Sequence, residues 1–257
     1  ILSGGIRLDS RSLHSYERME EGALRFAAFS RSWQTVSGSI GGVWRPLQGM
    51  DVRLNLARGY RVPNIAELGS NGVHEGTVRY EVGNSRLHAE HSMQADLGMD
   101  YVNRYISLQA ALFLNRIDNY IFSARNGDVR EERAVYQYTS GDARLWGFEV
   151  GVDIHPIHSL HIENSFSYVN AVQLRQPAAS KYLPMMPAPR LRSEVKWELT
   201  HEPWKILGGK AALHNAFMSA GMSVFFRQDH VLPADGTETP TPFYCLFDVS
   251  LGTEIYA

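Results

Sequence analysis

Hydrophobic and polar residues alternate with a period of two along much of this chain. Within residues 190–199, Leu191, Val195 and Trp197 share one face, whereas Arg192 and Glu194 share the other. This alternation is typical of a β-strand with one apolar and one polar face. The pattern predicts about ten strands and almost no helix. The predicted strands are 1–9, 35–45, 51–60, 91–101, 105–115, 142–154, 159–168, 190–199, 211–226 (where the periodicity is poor) and 243–255.

The connections between these strands alternate in length. Short ones fall at 46–50, 102–104, 155–158 and 201–204, and long ones at 10–34, 61–90, 122–141, 169–189 and 227–242. Outer-membrane barrels have short periplasmic turns and long extracellular loops. A soluble β-sandwich also alternates in hydrophobicity, but its strands are usually near 5–6 residues, whereas those predicted here run to about 9–13. We therefore predict an all-β fold, a portion of an antiparallel transmembrane β-barrel.

Composition narrows the class further. The chain has 257 residues and a net charge of −2, so no nucleic-acid partner is indicated. A hydrophobic fraction of 44% suits a barrel, because only alternate residues face lipid. No run of 18 apolar residues occurs, which excludes a transmembrane helix. Cys245 is the only cysteine, so neither a disulfide within the chain nor a cysteine metal cluster can form.

Three motifs follow one another between residues 57 and 87. They are A-R-G-Y-R-V-P-N with E-L (57–64 and 67–68), N-G-V-H-E-G-T (71–77) and Y-E-V-G-N with a following leucine (80–84 and 87). This segment resembles TonB-dependent outer-membrane receptors, although Val62 and Ser85-Arg86 depart from the commoner residues. The resemblance implies a 22-stranded barrel. Residues 1–257 would form part of it, with the plug domain and the last barrel strands outside this chain.

The resemblance also implies a function. Such receptors carry out energy-coupled uptake of a scarce metal nutrient across the outer membrane of a Gram-negative bacterium. The expected partners are outer-membrane lipid, a TonB-type energy-coupling protein acting through the plug domain, and a cargo. That cargo would be an iron–siderophore or other iron chelate, haem, or a metal ion such as zinc. A passive pore or a loop-mediated adhesin is the alternative, and neither would need a plug.

Candidate ligand contacts lie in the long connection 61–90. Histidine beside a carboxylate suits zinc or haem iron, which makes His74 and Glu75 a candidate metal pair. Arg61 and Arg79 suit an anionic iron chelate or a haem propionate, and Tyr80 follows directly. The resemblance supports His74, since some haem or zinc importers keep a histidine between the same motifs. Ordinary solvated loop residues remain the alternative explanation.

Other chemistry is weakly indicated. No spacing places a nucleophile beside a base, and no phosphate-binding loop or H-E-x-x-H motif occurs, so an enzyme such as an outer-membrane hydrolase is not expected. No resident cofactor is predicted. His155 and His158 flank Pro156 in a predicted turn, which indicates a structural role without ligand geometry.

Overall fold

The computed structural model describes residues 1–20, 22–74, 76, 78–177, 180–199, 203–206, 208, 211–236 and 238–256. Its strands are β1 (Leu2–Ser15), β2 (Arg18–Glu20), β3 (Ala23–Phe26), β4 (Phe29–Leu47), β5 (Met50–Arg61), β6 (Asn71–His74), β7 (Arg79–Val82), β8 (Glu90–Val102), β9 (Ile106–Arg130), β10 (Arg133–Ile157), β11 (Leu160–Gln173), β12 (Arg190–Glu198), β13 (Trp204–Ile206), β14 (Ala211–Phe225) and β15 (Tyr244–Tyr256). Helix α1 (Ile65–Gly69) and a 3₁₀ turn (Pro233–Asp235) interrupt them. Among the described residues, no helix combines the length and hydrophobicity needed to cross a membrane.

Ten long strands form one antiparallel meander. Their order is β1, β4, β5, β8, β9, β10, β11, β12, β14 and β15, with each strand hydrogen-bonded to the next. All ten predicted strands are confirmed. The predicted connection 201–204 lies partly outside the described residues, which omit 200–202. The tight turns after β4, β8 and β10 lie at one end of the sheet, here called the turn end, and the long connections lie at the loop end.

The alternation in sequence becomes two faces of the sheet. Outward-facing apolar side chains are 45–81% exposed, as at Leu54, Leu97, Leu112, Val195 and Val249. The inner face is charged: Arg192 pairs with Glu194 of the same strand at 2.6 Å and with Asp248 of β15 at 3.4 Å. An apolar outer face with a polar inner face is the arrangement that a membrane barrel requires.

The predicted long loop at 10–34 is largely wrong, because β1 and β4 remain paired as far as Ser15 and Phe29. The predicted long loop at 122–141 is also wrong. β9 and β10 continue through it as a hairpin of 25 residues per strand, about 80 Å long at about 3.3 Å per residue. The hairpin closes at Glu131 and Glu132, whose φ values are 48° and 60°. Positive φ at both central residues matches the tight turn that right-twisted strands favour. The turn was not recognised in the sequence because it contains neither glycine nor asparagine.

The connections at the loop end fold onto the sheet and form its buried core. Leu68, Leu87 and Ile121 form one cluster, packed against Phe29 and Trp33. A second cluster consists of Ala143, Ala171 and Leu183, with Tyr120 and Met186 against it. The connection between β5 and β8 adds a strand to the sheet, because β7 pairs in parallel with β10 and antiparallel with β6. The loop end is therefore packed and ordered by its own apolar contacts.

We predict that the two faces respond oppositely to charge. Leu112 lies in the half of β9 nearer the turn end and points outward. Gln109, three residues earlier, lines the inner face. Leu112→Arg should cost about 2–4 kcal/mol of unfolding free energy in lipid vesicles, because arginine would enter the hydrocarbon. The matched variant Gln109→Arg should cost less than about 1 kcal/mol, because the inner face is aqueous. Equal costs in urea titrations would contradict the assignment of faces.

Candidate functional site

The described residues of 61–90 and of 119–142 pack together at the loop end, and we call them the loop cap. Arg61, the last residue of β5, holds the two ends of residues 62–89 together. Its Nη1 donates to both carboxylate oxygens of Glu67 at 2.8 and 2.9 Å. Its Nε and Nη2 donate to Glu90 at 2.9 and 2.5 Å. Two-pronged contacts of this kind are the strongest that arginine makes with carboxylates.

Both carboxylates are nearly buried and have further roles. The Glu67 side chain is 10% exposed and that of Glu90 11%, whereas Arg61 is 42% exposed. Glu90 also accepts from the backbone N–H of Ile121 at 2.7 Å, which connects the pair to the extended part of β9. A buried carboxylate needs such partners to remain ionised without a large desolvation cost. Arg61 therefore provides one positive charge and four hydrogen bonds that two nearly buried carboxylates share.

The local sequence explains how Glu67 reaches this position. Asn64 caps α1: its Oδ1 accepts from the Glu67 N–H at 2.8 Å, and Glu67 Oε2 accepts from the Asn64 N–H at 2.8 Å. This reciprocal pair is a capping box and fixes the start of a helix. Pro63 before it is fully buried, and Leu68 after it enters the core. The R-x-P-N-x-x-E-L motif is thus a compact structural unit.

Tyr80 lies inside the cap. It is 4% exposed, and its hydroxyl donates to Asn71 Oδ1 at 2.9 Å across the β6–β7 pair. The guanidinium groups of Arg130 and Arg25 lie 5.6 and 6.0 Å from its ring centroid. Contacts of a cation with an aromatic face are favourable at this range. Tyr80 thereby joins the hairpin β6–β7 to β9 and to β3.

The remaining predicted contacts lie at the edge of this hairpin. His74 ends β6 and pairs in the backbone ladder with Arg79, the first residue of β7. The Arg79 guanidinium lies over the Tyr136 ring, 4.2 Å from its centroid. Glu75 is outside the described residues. The structure thus brings Arg61, His74, Arg79 and Tyr80 into one cap, and their contact with a ligand stays a prediction.

Tyr138, which was not singled out in the sequence, meets Glu81 of the Y-E-V-G-N motif in the cap. Tyr138 donates its hydroxyl proton to Glu81 Oε2 at 3.2 Å. Burial, followed by the negative charge of Glu81, raises the pKa of Tyr138 to about 12. The hydroxyl therefore remains protonated to a higher pH than that of an exposed tyrosine.

At the turn end the histidine prediction needs correction. His155 was assigned a turn position without ligand geometry, but it faces His161, with ring centroids 5.6 Å apart. Both lie beside Asp153: His161 Nδ1 is 2.9 Å and His155 Nδ1 is 3.5 Å from its Oδ2. His158, which the sequence pairs with His155 across Pro156, does not belong to this group.

The chain matches known proteins over nearly its whole length. Residues 1–255 match the family described as TonB dependent receptor-like, beta-barrel. The copper transporter OprC superposes with a TM-score of 0.77 at 19% identity, covering 96% of this chain and 36% of that one. The ferric yersiniabactin uptake receptor FyuA from Yersinia pestis gives a TM-score of 0.62 at 17% identity, with coverage of 98% and 35%. The hemophore receptor HasR of Serratia marcescens, a double mutant bound to hemophore HasA and heme, gives 0.63 at 17%, with coverage of 96% and 42%.

These identities are low, so the similarity to the three structures shows a shared fold. The chain spans between 35% and 42% of the length of those three proteins.

We predict that removing the Arg61 cation loosens the loop cap. Arg61→Met leaves the carboxylates of Glu67 and Glu90 without their shared partner, and should cost about 1–3 kcal/mol. Hydrogen exchange of residues 62–89 should accelerate accordingly. The control Arg45→Met removes an exposed ion pair with Asp51 at the turn end, and should cost at most about 1 kcal/mol. Unchanged exchange in the cap of Arg61→Met would show that the network does not hold it.

Proposed function

This chain belongs to the family of TonB-dependent receptor β-barrels, and on that basis we propose that it serves in energy-coupled uptake of a scarce metal nutrient. The match over residues 1–255 is the observation that carries this proposal. We further propose that residues 1–257 are part of a longer barrel. A plug domain and further strands outside this chain would complete the receptor, and a TonB-type protein would act through the plug.

The location follows from the same proposal. The apolar outer face would contact lipid in the outer membrane of a Gram-negative bacterium. The inner face, with ion pairs such as Arg192–Glu194, would line the aqueous interior. In hydrocarbon every backbone polar group needs a partner, so the free edges of β1 and β15 would pair with further barrel strands. The chain would contribute a wall and loops and no covalent chemistry.

Metal-containing cargo is supported by what is known of similar structures. OprC is a copper transporter, FyuA is a ferric yersiniabactin uptake receptor, and HasR is a hemophore receptor in complex with its hemophore and heme. We propose an iron chelate, haem or a metal ion such as zinc as the cargo class. Cationic side chains at the loop cap suit an anionic chelate or a propionate: Arg79 and Arg130 lie within it, and Arg25 of β3 lies against it.

Within the cap, we propose that residues of the β6–β7 hairpin contact the cargo. His74 and Glu75 would provide metal ligands, and Arg79 would provide positive charge. Arg61 and Tyr80 would contribute by shaping the contact surface, since Arg61 closes the loop and Tyr80 is buried within it.

A deletion strain tests the function. Bacteria lacking the complete receptor are grown with a ferric chelate, haem, zinc or copper as the only metal source, each in a separate culture. The deletion strain should grow poorly on one of these sources. Growth should be normal on the other sources and should be restored by the cloned gene. Equal growth of deletion and parent strains on every source would contradict uptake of a metal nutrient.

His74→Ala tests the proposed contact. The variant should bind the cargo identified by the growth assay at least about tenfold more weakly, because a metal ligand is lost. Its barrel should remain folded, as judged by heat-modifiable electrophoretic mobility. His88→Ala, which removes an exposed histidine from the same connection, serves as the control and should bind normally. Unchanged binding by His74→Ala would remove that residue from the site.

A further inference from the structure

A group of possible metal ligands lies on the inner face at the turn end, far along β10 from the loop cap. It comprises Asp153 and His155 on β10 and His161 on β11. One ligand atom from each residue lies within 4.8 Å of the other two. We propose that these three side chains bind a divalent transition-metal ion, at a site separate from the cargo contacts proposed above.

The sequence builds this group through a β-bulge. Ile154 pairs with Ile162, and Ile157 pairs with Leu160, so the two residues His155 and Pro156 oppose the single residue His161. Proline has no N–H to donate and holds the residue before it extended, which interrupts the regular ladder at this point. Bulges redirect side chains and are frequent beside functional sites. Here the bulge places both imidazoles next to Asp153.

The distances suit a first-row metal. Ligand atoms each about 2.1 Å from a tetrahedral Zn²⁺ ion lie about 3.4 Å from one another. Asp153 Oδ2 is 2.9 Å from His161 Nδ1 and 3.5 Å from His155 Nδ1. Small side-chain rotations would therefore bring all three atoms around one ion. Two imidazoles and one carboxylate are a donor set that suits zinc, copper, nickel and iron, and disfavours magnesium and calcium.

Two polar atoms in the group lack the partners that burial requires. Asp153 Oδ1 and His155 Nδ1 are buried, and neither has a hydrogen-bond partner within the described part of the chain. Most buried polar atoms in folded proteins are paired, and an exception indicates a missing water, ion or functional role. A metal bound to His155 Nδ1 and to the Asp153 carboxylate would satisfy both.

The surrounding charge favours a cation. The strand registers place Asp153, Glu163 and Glu194 side by side on three neighbouring strands. Arg192 neutralises Glu194 at 2.6 Å. Among the described residues, no lysine or arginine forms an ion pair with Asp153 or Glu163. An open groove of about 290 Å³ on the inner face is lined by Asp153, Glu163 and Glu194, together with Arg192.

Metal binding would connect β10 to β11 across the bulge, where the backbone ladder is interrupted. The bound metal would thus hold β10 and β11 together at the turn end of the inner face. It needs no plug movement and no cargo, so it can be tested independently of the uptake proposed above.

Metal titration of the complete receptor, purified in detergent with a histidine-free affinity tag, tests the site. The wild-type protein should bind one more equivalent of Cu²⁺ or Zn²⁺ than the variant His155→Ala/His161→Ala. Cu²⁺ should bind more tightly than Zn²⁺, and Mg²⁺ should not compete. The electron paramagnetic resonance spectrum of the Cu²⁺ lost in the variant should show two imidazole nitrogens. Any cargo site elsewhere is present in both proteins, so it does not contribute to the difference in bound metal equivalents.

Two single variants make the assignment specific. Asp153→Asn preserves the size of the side chain and should weaken binding at least about tenfold. His158→Ala removes the histidine of the turn that follows β10, and should leave metal binding unchanged. Equal metal content in wild type and the double variant would overturn the proposal, as would loss of the metal on His158→Ala. Should the double variant fail to fold, Asp153→Asn decides: binding within threefold of wild type would refute the site.

Discussion

The need to pair every backbone N–H and C=O group controls the architecture of this chain. A membrane-spanning sheet has no water to complete its hydrogen bonds, so each strand must lie beside another along its whole length. The meander meets this need for its eight inner strands with the simplest connectivity, in which each long strand pairs with the next. Once the backbone is fixed in this way, alternate side chains have only two directions available. Side chains that point towards lipid include leucine and valine, and side chains that point towards the aqueous interior form charged pairs.

This constraint ends where the sheet leaves the lipid, and different interactions organise the structure there. At the loop end, the Arg61 network with Glu67 and Glu90 connects a strand, a short helix and the next strand in one polar cluster. Apolar contacts of Leu68 and Leu87 then fix the same segment against β9. At the turn end, Pro156 breaks the ladder and releases His155 from regular pairing. Both chemically distinctive regions thus occur where regular strand pairing is supplemented or interrupted.

The sequence was sufficient for the strand centres and insufficient for their ends. Between residues 51 and 60 the alternation is clear, because every second side chain there faces outward. Residues 122–141 show no such pattern, since above the lipid both faces of β9 and β10 can be polar. The pairing of these strands with each other, and not hydrophobicity, makes them extend. Only the pairing register of β9 with β10 in the structure shows that these residues form strands.

The sequence identified residues of the candidate site, but it did not predict the contacts that they make. Motif resemblance identified Arg61 and Tyr80, but their roles depend on partners distant in sequence: Glu90 lies 29 residues from Arg61, and Arg25 lies 55 residues from Tyr80. The Asp153, His155 and His161 group was missed because a bulge, which alternation cannot predict, brings His161 opposite His155. A proline next to a histidine near the end of a strand is the signal that could have indicated it.

Uptake of radiolabelled cargo by intact cells, with and without an uncoupler of the proton gradient, tests the central claim most directly. An energy-coupled receptor should retain cargo binding at the surface when the gradient is removed, while transport to the periplasm stops. Transport that continues undiminished without the gradient would contradict the account and identify a passive pore instead.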